Sequence, residues 1–203
     1  MGHRLLLMRA NTALVLMDVQ EKLAAVMAQR EAVVARMGLL VELVKLFGLP
    51  VIVTEQYPQG LGRTLPELAH RLPSYKPIEK LHFNGCKVDA FVQTLRRASV
   101  KRIILAGMEA HVCVLQTSLD LVYRGYEVHV PADAVCSRNL QDWQVALRLM
   151  ERGGVAITTV ETVIFQLLGQ AGTPEFKKML RLLKEAPSAE ILELFPRQQR
   201  LGL

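Results

Sequence analysis

Three residues able to cooperate in nucleophilic chemistry, Asp18, Lys80 and Cys113, each stand at or just past the end of a candidate strand. Cys113 lies at the start of a predicted helix, where unpaired backbone N–H groups and the positive end of the helix dipole favour thiolate over thiol. Asp18 could accept the thiol proton, and Lys80 could stabilise the thiolate while keeping the carboxylate ionised and in place. That is the base, nucleophile and orienter arrangement of an activated nucleophile. Taken singly, each has a plainer reading: Cys113 as a small core residue, Asp18 as the N-cap of a segment beginning at Val19, Lys80 as a solvated strand end. Only their joint position favours chemistry.

The other reactive side chains form no comparable group. Cys86 and Cys136 lie 27 residues before and 23 after Cys113, so there is no CxxC pair and no disulfide framework, and both read as structural. His3, His70, His82, His111 and His129 are scattered, with no HExxH, so no metal site is expected. His111, two residues before Cys113, is expected to line a pocket or to pack. Gly60 and Gly62 are followed by Leu65 where a dinucleotide fingerprint needs glycine, and no glycine precedes a GKS or GKT. No cofactor is expected.

The elements that must position these residues follow from the hydrophobic pattern. Short continuous apolar runs alternate with segments of helical period, the mark of βα units around a parallel sheet buried on both faces. Candidate strands are Ala13 to Met17, Val51 to Thr54, Ile78 to Lys80, Arg102 to Ala106, Glu127 to Pro131 and Val155 to Thr158. Candidate helices are Glu31 to Phe47, Val88 to Ala98, Val112 to Arg124 and Leu140 to Arg152, all but the second closed by a glycine (Gly48, Gly125 and Gly153), and an amphipathic helix follows Pro174. Thr64 and Glu67 have capping-box spacing, and Asn139 and Thr173 stand where N-caps belong. The expectation is a three-layer, Rossmann-like α/β/α domain with a parallel six-stranded sheet. In such sheets ligands bind at the carboxyl ends of the strands, where strand order reverses. In the common order 3-2-1-4-5-6 the first and fourth strands are neighbours there, which would bring Asp18 and Cys113 face to face.

The 203 residues correspond to one domain, with a core over about 12–183 and a tail over 186–203 that could pack on a partner subunit. Hydrophobic residues at 51% and charged residues at 22% exclude the composition of disorder. No apolar run is long enough for a membrane span and no signal peptide is evident, so a cytoplasmic protein is expected. The net charge of +6 could attract anions or nucleic acid. The densest basic group, Arg96, Arg97, Lys101 and Arg102, falls where a helix runs out into a strand and lacks interleaved aromatics, so nucleic-acid binding is a minor reading.

The segments LVLMDVQ (14–20), VTEQYPQGLG (53–62), EKLHF (79–83), GMEAHVCVLQT (107–117) and DAVCSR (133–138) resemble the isochorismatase-like cysteine hydrolase family, most closely its isochorismatase domain-containing branch. The resemblance runs from about Thr12 to Leu183. It implies Asp18 as base, Lys80 as electrostatic partner and Cys113 as nucleophile. It also implies a cis peptide bond between Met108 and Glu109, an oxyanion hole from the Glu109 and Cys113 backbone N–H groups, and a homo-oligomer, whether dimer, tetramer or larger. Nicotinamidases of the family bind a metal through an aspartate and two histidines after the second strand. Here Glu55, Gln56 and Tyr57 stand there, and no histidine follows until His70. True isochorismatases cleave an enol ether without a cysteine, so Cys113 argues for acyl chemistry instead.

The expected activity is hydrolysis of an amide-type C–N bond in a small molecule. Leu23, Gln56, Tyr57, Phe83 and His111 are the candidate pocket residues, a mostly apolar lining suited to a small flat or aliphatic substrate. A catalytically silent scaffold with the same fold is the alternative. Arg138 reads either as a support for the site or as a support for its own loop.

Overall fold

The computed structural model describes residues 3–27 and 29–186. Its centre is a parallel sheet in the order β3-β2-β1-β4-β5-β7, formed by β1 (Thr12–Met17), β2 (Val51–Gln56), β3 (Ile78–Lys80), β4 (Arg102–Met108), β5 (Glu127–Pro131) and β7 (Ala156–Thr158). A two-residue strand, β6 (Val135–Cys136), pairs with the last residues of β4, so the sheet has seven strands where the sequence suggested six. Two residues carry no periodicity, which is why β6 has no signal of its own.

Alternation along the strands builds both outer layers. Leu14 and Leu16 of β1, with Ile104, Ala106 and Met108 of β4, point to one side, where they pack against α2 (Arg30–Phe47), α8 (Val160–Leu168) and α9 (Pro174–Glu185). Val15 and Met17, with Ile103 and Leu105, point to the other, against α5 (Asp89–Arg97), α6 (Leu115–Tyr123) and α7 (Leu140–Arg152). All of these strand residues are wholly buried, as a parallel sheet sandwiched between helices requires. The shorter helices α1 (Glu21–Ala24), α3 (Pro58–Leu61) and α4 (Pro66–Ala69) lie in the connections beyond β1 and β2.

Several local signals acted as written. Gly48 ends α2 in the left-handed region with φ +64°, and Thr173 caps α9 by accepting the Phe176 N–H at 3.1 Å, with Pro174 in the first helical position. Asn139 stands at the cap position of α7, but its amide donates to Asp142 Oδ2 at 3.0 Å rather than capping the backbone. The Thr64–Glu67 capping box does not form. The Thr64 N–H and hydroxyl both donate to Glu55 Oε1, at 2.7 and 2.8 Å, because a buried carboxylate is the stronger acceptor, and Glu67 pairs with Arg30 instead. Helix α8 had no counterpart in the sequence reading: Val160, Thr162, Val163 and Ile164 are β-branched and argue against helix locally, and burial of Val160, Val163 and Ile164 overrides that preference. Most of the expected C-terminal tail, residues 187–203, lies outside the described residues.

Candidate functional site

The carboxyl ends of β1, β3 and β4 bring the three reactive side chains together. Asp18 is the first residue after β1 and turns the chain with φ +56°, a conformation aspartate tolerates better than most residues. Its N–H donates to Thr54 O at 3.1 Å, and its Oδ1 accepts the Thr54 hydroxyl at 2.7 Å, so β2 fixes both backbone and carboxylate. Lys80, the last residue of β3, places Nζ 2.7 Å from Asp18 Oδ2 with both side chains fully buried. The same ammonium donates to Gln56 Oε1 at 2.7 Å, His82 O at 3.2 Å, Phe83 O at 3.4 Å and Cys113 Sγ at 3.5 Å.

A missing side chain permits the closeness of the first and fourth strands. Met17 of β1 sits opposite Gly107 of β4. Gly107 has φ +142°, and a Cβ built on it would lie 2.0 Å from Met17 O. Glycine is therefore required where the strands bearing Asp18 and Cys113 meet.

Beyond β4 the Met108–Glu109 peptide bond is cis, and residues Ala110–Val114 form one turn of π-helix before α6 begins at Leu115. Cys113 is inside that turn, not at the α-helix start that the sequence predicted. The electrostatics differ from the expectation as well. Burial pushes the Cys113 thiol up to about 12, the adjacent Asp18 carboxylate adds to the rise, and the Lys80 ammonium offsets only part of it. Cys113 is therefore held as a thiol beside the Asp18–Lys80 ion pair. Helix-terminus reasoning missed this because Cys113 is only 4% exposed.

Of the other expected pocket residues, Gln56 belongs to the cluster: its Oε1 holds Lys80 while its Nε2 donates to Leu81 O at 2.8 Å. Phe83 joins through its carbonyl, with its ring half exposed. Tyr57 is also half exposed, its ring lying over Gly60, where a Cβ would come within 2.3 Å of it. His111, in the π turn, shares a 2.8 Å hydrogen bond between Nδ1 and Ser137 Oγ. Leu23, on α1, packs against the core on the α2 side, whereas Cys113 belongs to the core on the opposite side of the sheet.

Sequence reasoning gave no role to several residues that hold the site. Gln20 donates to Gln56 O and Gly62 O, at 3.0 and 2.7 Å, and accepts the Gln56 N–H at 2.7 Å, lacing the loops after β1 and β2 together. Glu55 is wholly buried and accepts from Thr64, Tyr75 and Arg63, contacts that together lower its carboxyl despite burial. Arg63 also reaches Glu79 at 2.8 Å. Gln20 and Glu55 were legible only as members of the segments LVLMDVQ and VTEQYPQGLG. Among the described residues no group of three or more His, Cys, Asp or Glu side chains is placed to hold a metal.

With this geometry in place, comparison with known proteins is informative. Residues 12–162 match the model of the isochorismatase domain. Isochorismatase domain-containing protein 2 of Homo sapiens is 40% identical over 193 residues, which span 94% of this chain and 92% of the relative. The solved structure of MAR1 ribonuclease from Caenorhabditis elegans superposes with a TM-score of 0.85 at 39% identity, covering 92% of this chain and 96% of that one. YcaC of Escherichia coli, described as an octameric hydrolase of unknown specificity, superposes with a TM-score of 0.80, covering 89% of this chain and 88% of that one; at 24% identity it speaks for the fold alone.

Proposed function

The chain belongs to the isochorismatase family, and we propose that within it the protein is a cysteine-dependent hydrolase of an amide-type C–N bond in a small molecule. The observation that carries this reading is the buried contact of Lys80 Nζ with both Asp18 Oδ2 and Cys113 Sγ, at 2.7 and 3.5 Å.

Cys113 Sγ attacks the substrate carbonyl carbon as Asp18 takes the thiol proton. Because the resting thiol is pushed up to about 12, proton transfer accompanies attack rather than preceding it. Lys80 keeps the carboxylate in place and faces the sulfur as it gains negative charge. The carbonyl oxygen becomes an oxyanion held by the Glu109 and Cys113 backbone N–H groups, each such donor contributing about 2.7–4 kcal/mol of transition-state stabilisation. Collapse breaks the C–N bond, the proton on Asp18 passes to the leaving nitrogen, and an acyl thioester remains on Cys113. Asp18 then takes a proton from water, which attacks the thioester; the acid departs, and the proton returns to sulfur. None of these steps requires a cofactor.

The test is turnover of a panel of small amides by the wild type and by Cys113→Ala. Loss of turnover in the variant, together with a thioester adduct on Cys113 of the wild type trapped by acid quench, supports the reading. Undiminished turnover by the variant overturns it. A wild type with no turnover, and with Cys113 alkylated no faster than an ordinary buried thiol, favours the scaffold reading. The MAR1 relative bears a ribonuclease name and this chain carries a charge of +6, so labelled RNA belongs in the same assay. RNA cleavage that persists in Cys113→Ala would favour a nuclease over the thioester route. The protein is also proposed to assemble as a homo-oligomer, as its resemblance to the family implies. Among the described residues no helix is long and apolar enough to cross a membrane.

A further inference from the structure

Arg96, one of the basic residues at the end of α5, borders a cavity that the triad does not use. Val92, Leu95 and Arg96 share one side of α5, and Leu121 and Arg124 share one side of α6 and its end, so the two helices turn these side chains toward a common space. Gly125 then turns the chain with φ +88°, and the Tyr126 N–H donates back to Leu121 O at 3.0 Å, which folds Tyr126 in as a further wall. With Cys86 these residues line a cavity of about 260 Å³.

Its chemistry is one-sided. Leu95, Leu121 and Cys86 are buried and form an apolar floor, the Cys86 thiol being kept neutral because burial pushes it up to about 12. Both charged side chains in the lining, Arg96 and Arg124, are cations. The carboxylate of Asp120 is outside the lining and is already engaged, accepting from Arg124 Nε at 2.7 Å and from Asn84 Nδ2 at 2.8 Å. Arg124 Nη2 donates to Cys86 O at 3.3 Å, which holds the guanidinium and leaves Nη1 without a partner among the described residues. The Arg96 side chain has no ion-pair or hydrogen-bond partner among the described residues. A second cavity, of about 240 Å³ between α2 and α4, is a contrast: Arg30 and Arg71 are balanced there by Glu31 and Glu67, and Arg30 pairs with Glu67 at 2.6 Å. A balanced lining selects neither sign of charge, whereas cations over an apolar floor select an anion with an apolar body.

We propose that the cavity between α5 and α6 is a binding site for a small organic anion, a carboxylate or phosphate head carried on a short apolar body. The head meets Arg124 Nη1 and the Arg96 guanidinium, and the body lies on Leu95 and Leu121 beside Tyr126. The volume falls below that of pockets for drug-sized ligands, so the body is no larger than a single ring. No lining residue is among the side chains that contact Asp18, Lys80 or Cys113, so the site stands or falls independently of the thioester reading.

The experiment uses the full chain, with benzoate and phenyl phosphate as anionic probes and benzyl alcohol as the neutral control. Calorimetric titration measures binding. Its place is read by mass spectrometry, from protection of the Cys86 peptide against N-ethylmaleimide at about pH 9, where more of a raised thiol is ionised, with Cys113 followed in the same digest. At least one anion should bind with a Kd of about 3 mM or tighter and protect Cys86 with matching half-saturation, while benzyl alcohol at the same concentration does not. Arg124→Met and Arg96→Gln should each weaken that binding by about fivefold or more and keep the melting temperature close to wild type, since neither side chain is buried. The proposal is overturned if neither anion reaches that affinity, if benzyl alcohol protects Cys86 as well as the anions do, if binding is undiminished in both variants, or if protection is confined to Cys113.

Discussion

Two cysteines in this molecule sit beside an acid and a cation, and only one of the two groups holds its charges wholly out of water. Cys113 adjoins Asp18 and Lys80, and Cys86 adjoins Asp120 and Arg124. Both thiols are buried, and burial pushes both up to about 12, with the acid adding to the rise and the cation opposing it. The difference lies in the charged partners. Asp18 and Lys80 are fully buried, and the lysine touches the sulfur directly. Asp120 and Arg124 are 16% and 34% exposed, pair along a single helix at 2.7 Å, and are also engaged by Asn84 Nδ2 and by Cys86 O. Residue types alone therefore do not identify a nucleophile. What separates the two groups is whether charge is held out of water at the sheet rim, where its effect on a developing thiolate is strong, or is shared with solvent, where it is weak.

The comparison breaks most decisively at the sulfur. Cys113→Ala is expected to lower turnover by at least about a thousandfold, as loss of a nucleophile does, whereas Cys86→Ala should retain activity within severalfold; parallel steady-state assays decide. Next in size is stability. Lys80→Met leaves the Asp18 carboxylate buried without its partner and should cost about 3–5 kcal/mol. Arg124→Met removes a partly exposed pair and should cost less than about 1 kcal/mol. Urea unfolding of both variants measures the contrast, and equal losses would mean that burial does not distinguish the pairs.

A smaller effect concerns protonation. Because both folded thiols are raised, the thiolate fraction is low at neutral pH and climbs as pH approaches 12, so alkylation should rise with pH and show no plateau near pH 9. Asp18→Asn removes a charge that raises Cys113 while Lys80 remains. The Cys113 thiol should fall, and its alkylation at pH 8 should increase by about tenfold even as turnover collapses. Asp120→Asn should move Cys86 less, since Asp120 is partly in water. Thr54→Val, which removes the 2.7 Å hydrogen bond to Asp18 Oδ1, should lower turnover by only about threefold through misplacement of the carboxylate.

Much of this was written in the chain. The apolar run that ends at Met17 is a buried strand and Ile78–Lys80 an edge strand of which Lys80 alone is buried, and the order β3-β2-β1-β4 then brings Asp18, Lys80 and Cys113 together. What the sequence hid were features set by tertiary partners. Thr64 has the spacing of a helix cap, yet Glu55 from a distant strand takes both its donors. Val160 to Leu168 carries strand-forming residues and folds as a helix, because one of its faces is buried against α2 and α9. Cys113 has the position of a helix-activated thiol, and full burial beside a carboxylate reverses the sign of the effect. Local rules succeeded where a residue's surroundings are its own neighbours in sequence, and failed where a remote carboxylate or a layer of packing supplied them.

Residue 107 gives the seam between β1 and β4 a further meaning. At this seam backbone abuts backbone, so the approach of the segments that carry Asp18 and Cys113 depends on the absence of a side chain at Gly107. Even a single methyl group there, as in Gly107→Ala, must wedge the two strands apart at the very end that bears the chemistry. The closeness of Asp18 and Cys113 is thus inherited from the sheet itself and can be lost through a position that has no side chain of its own.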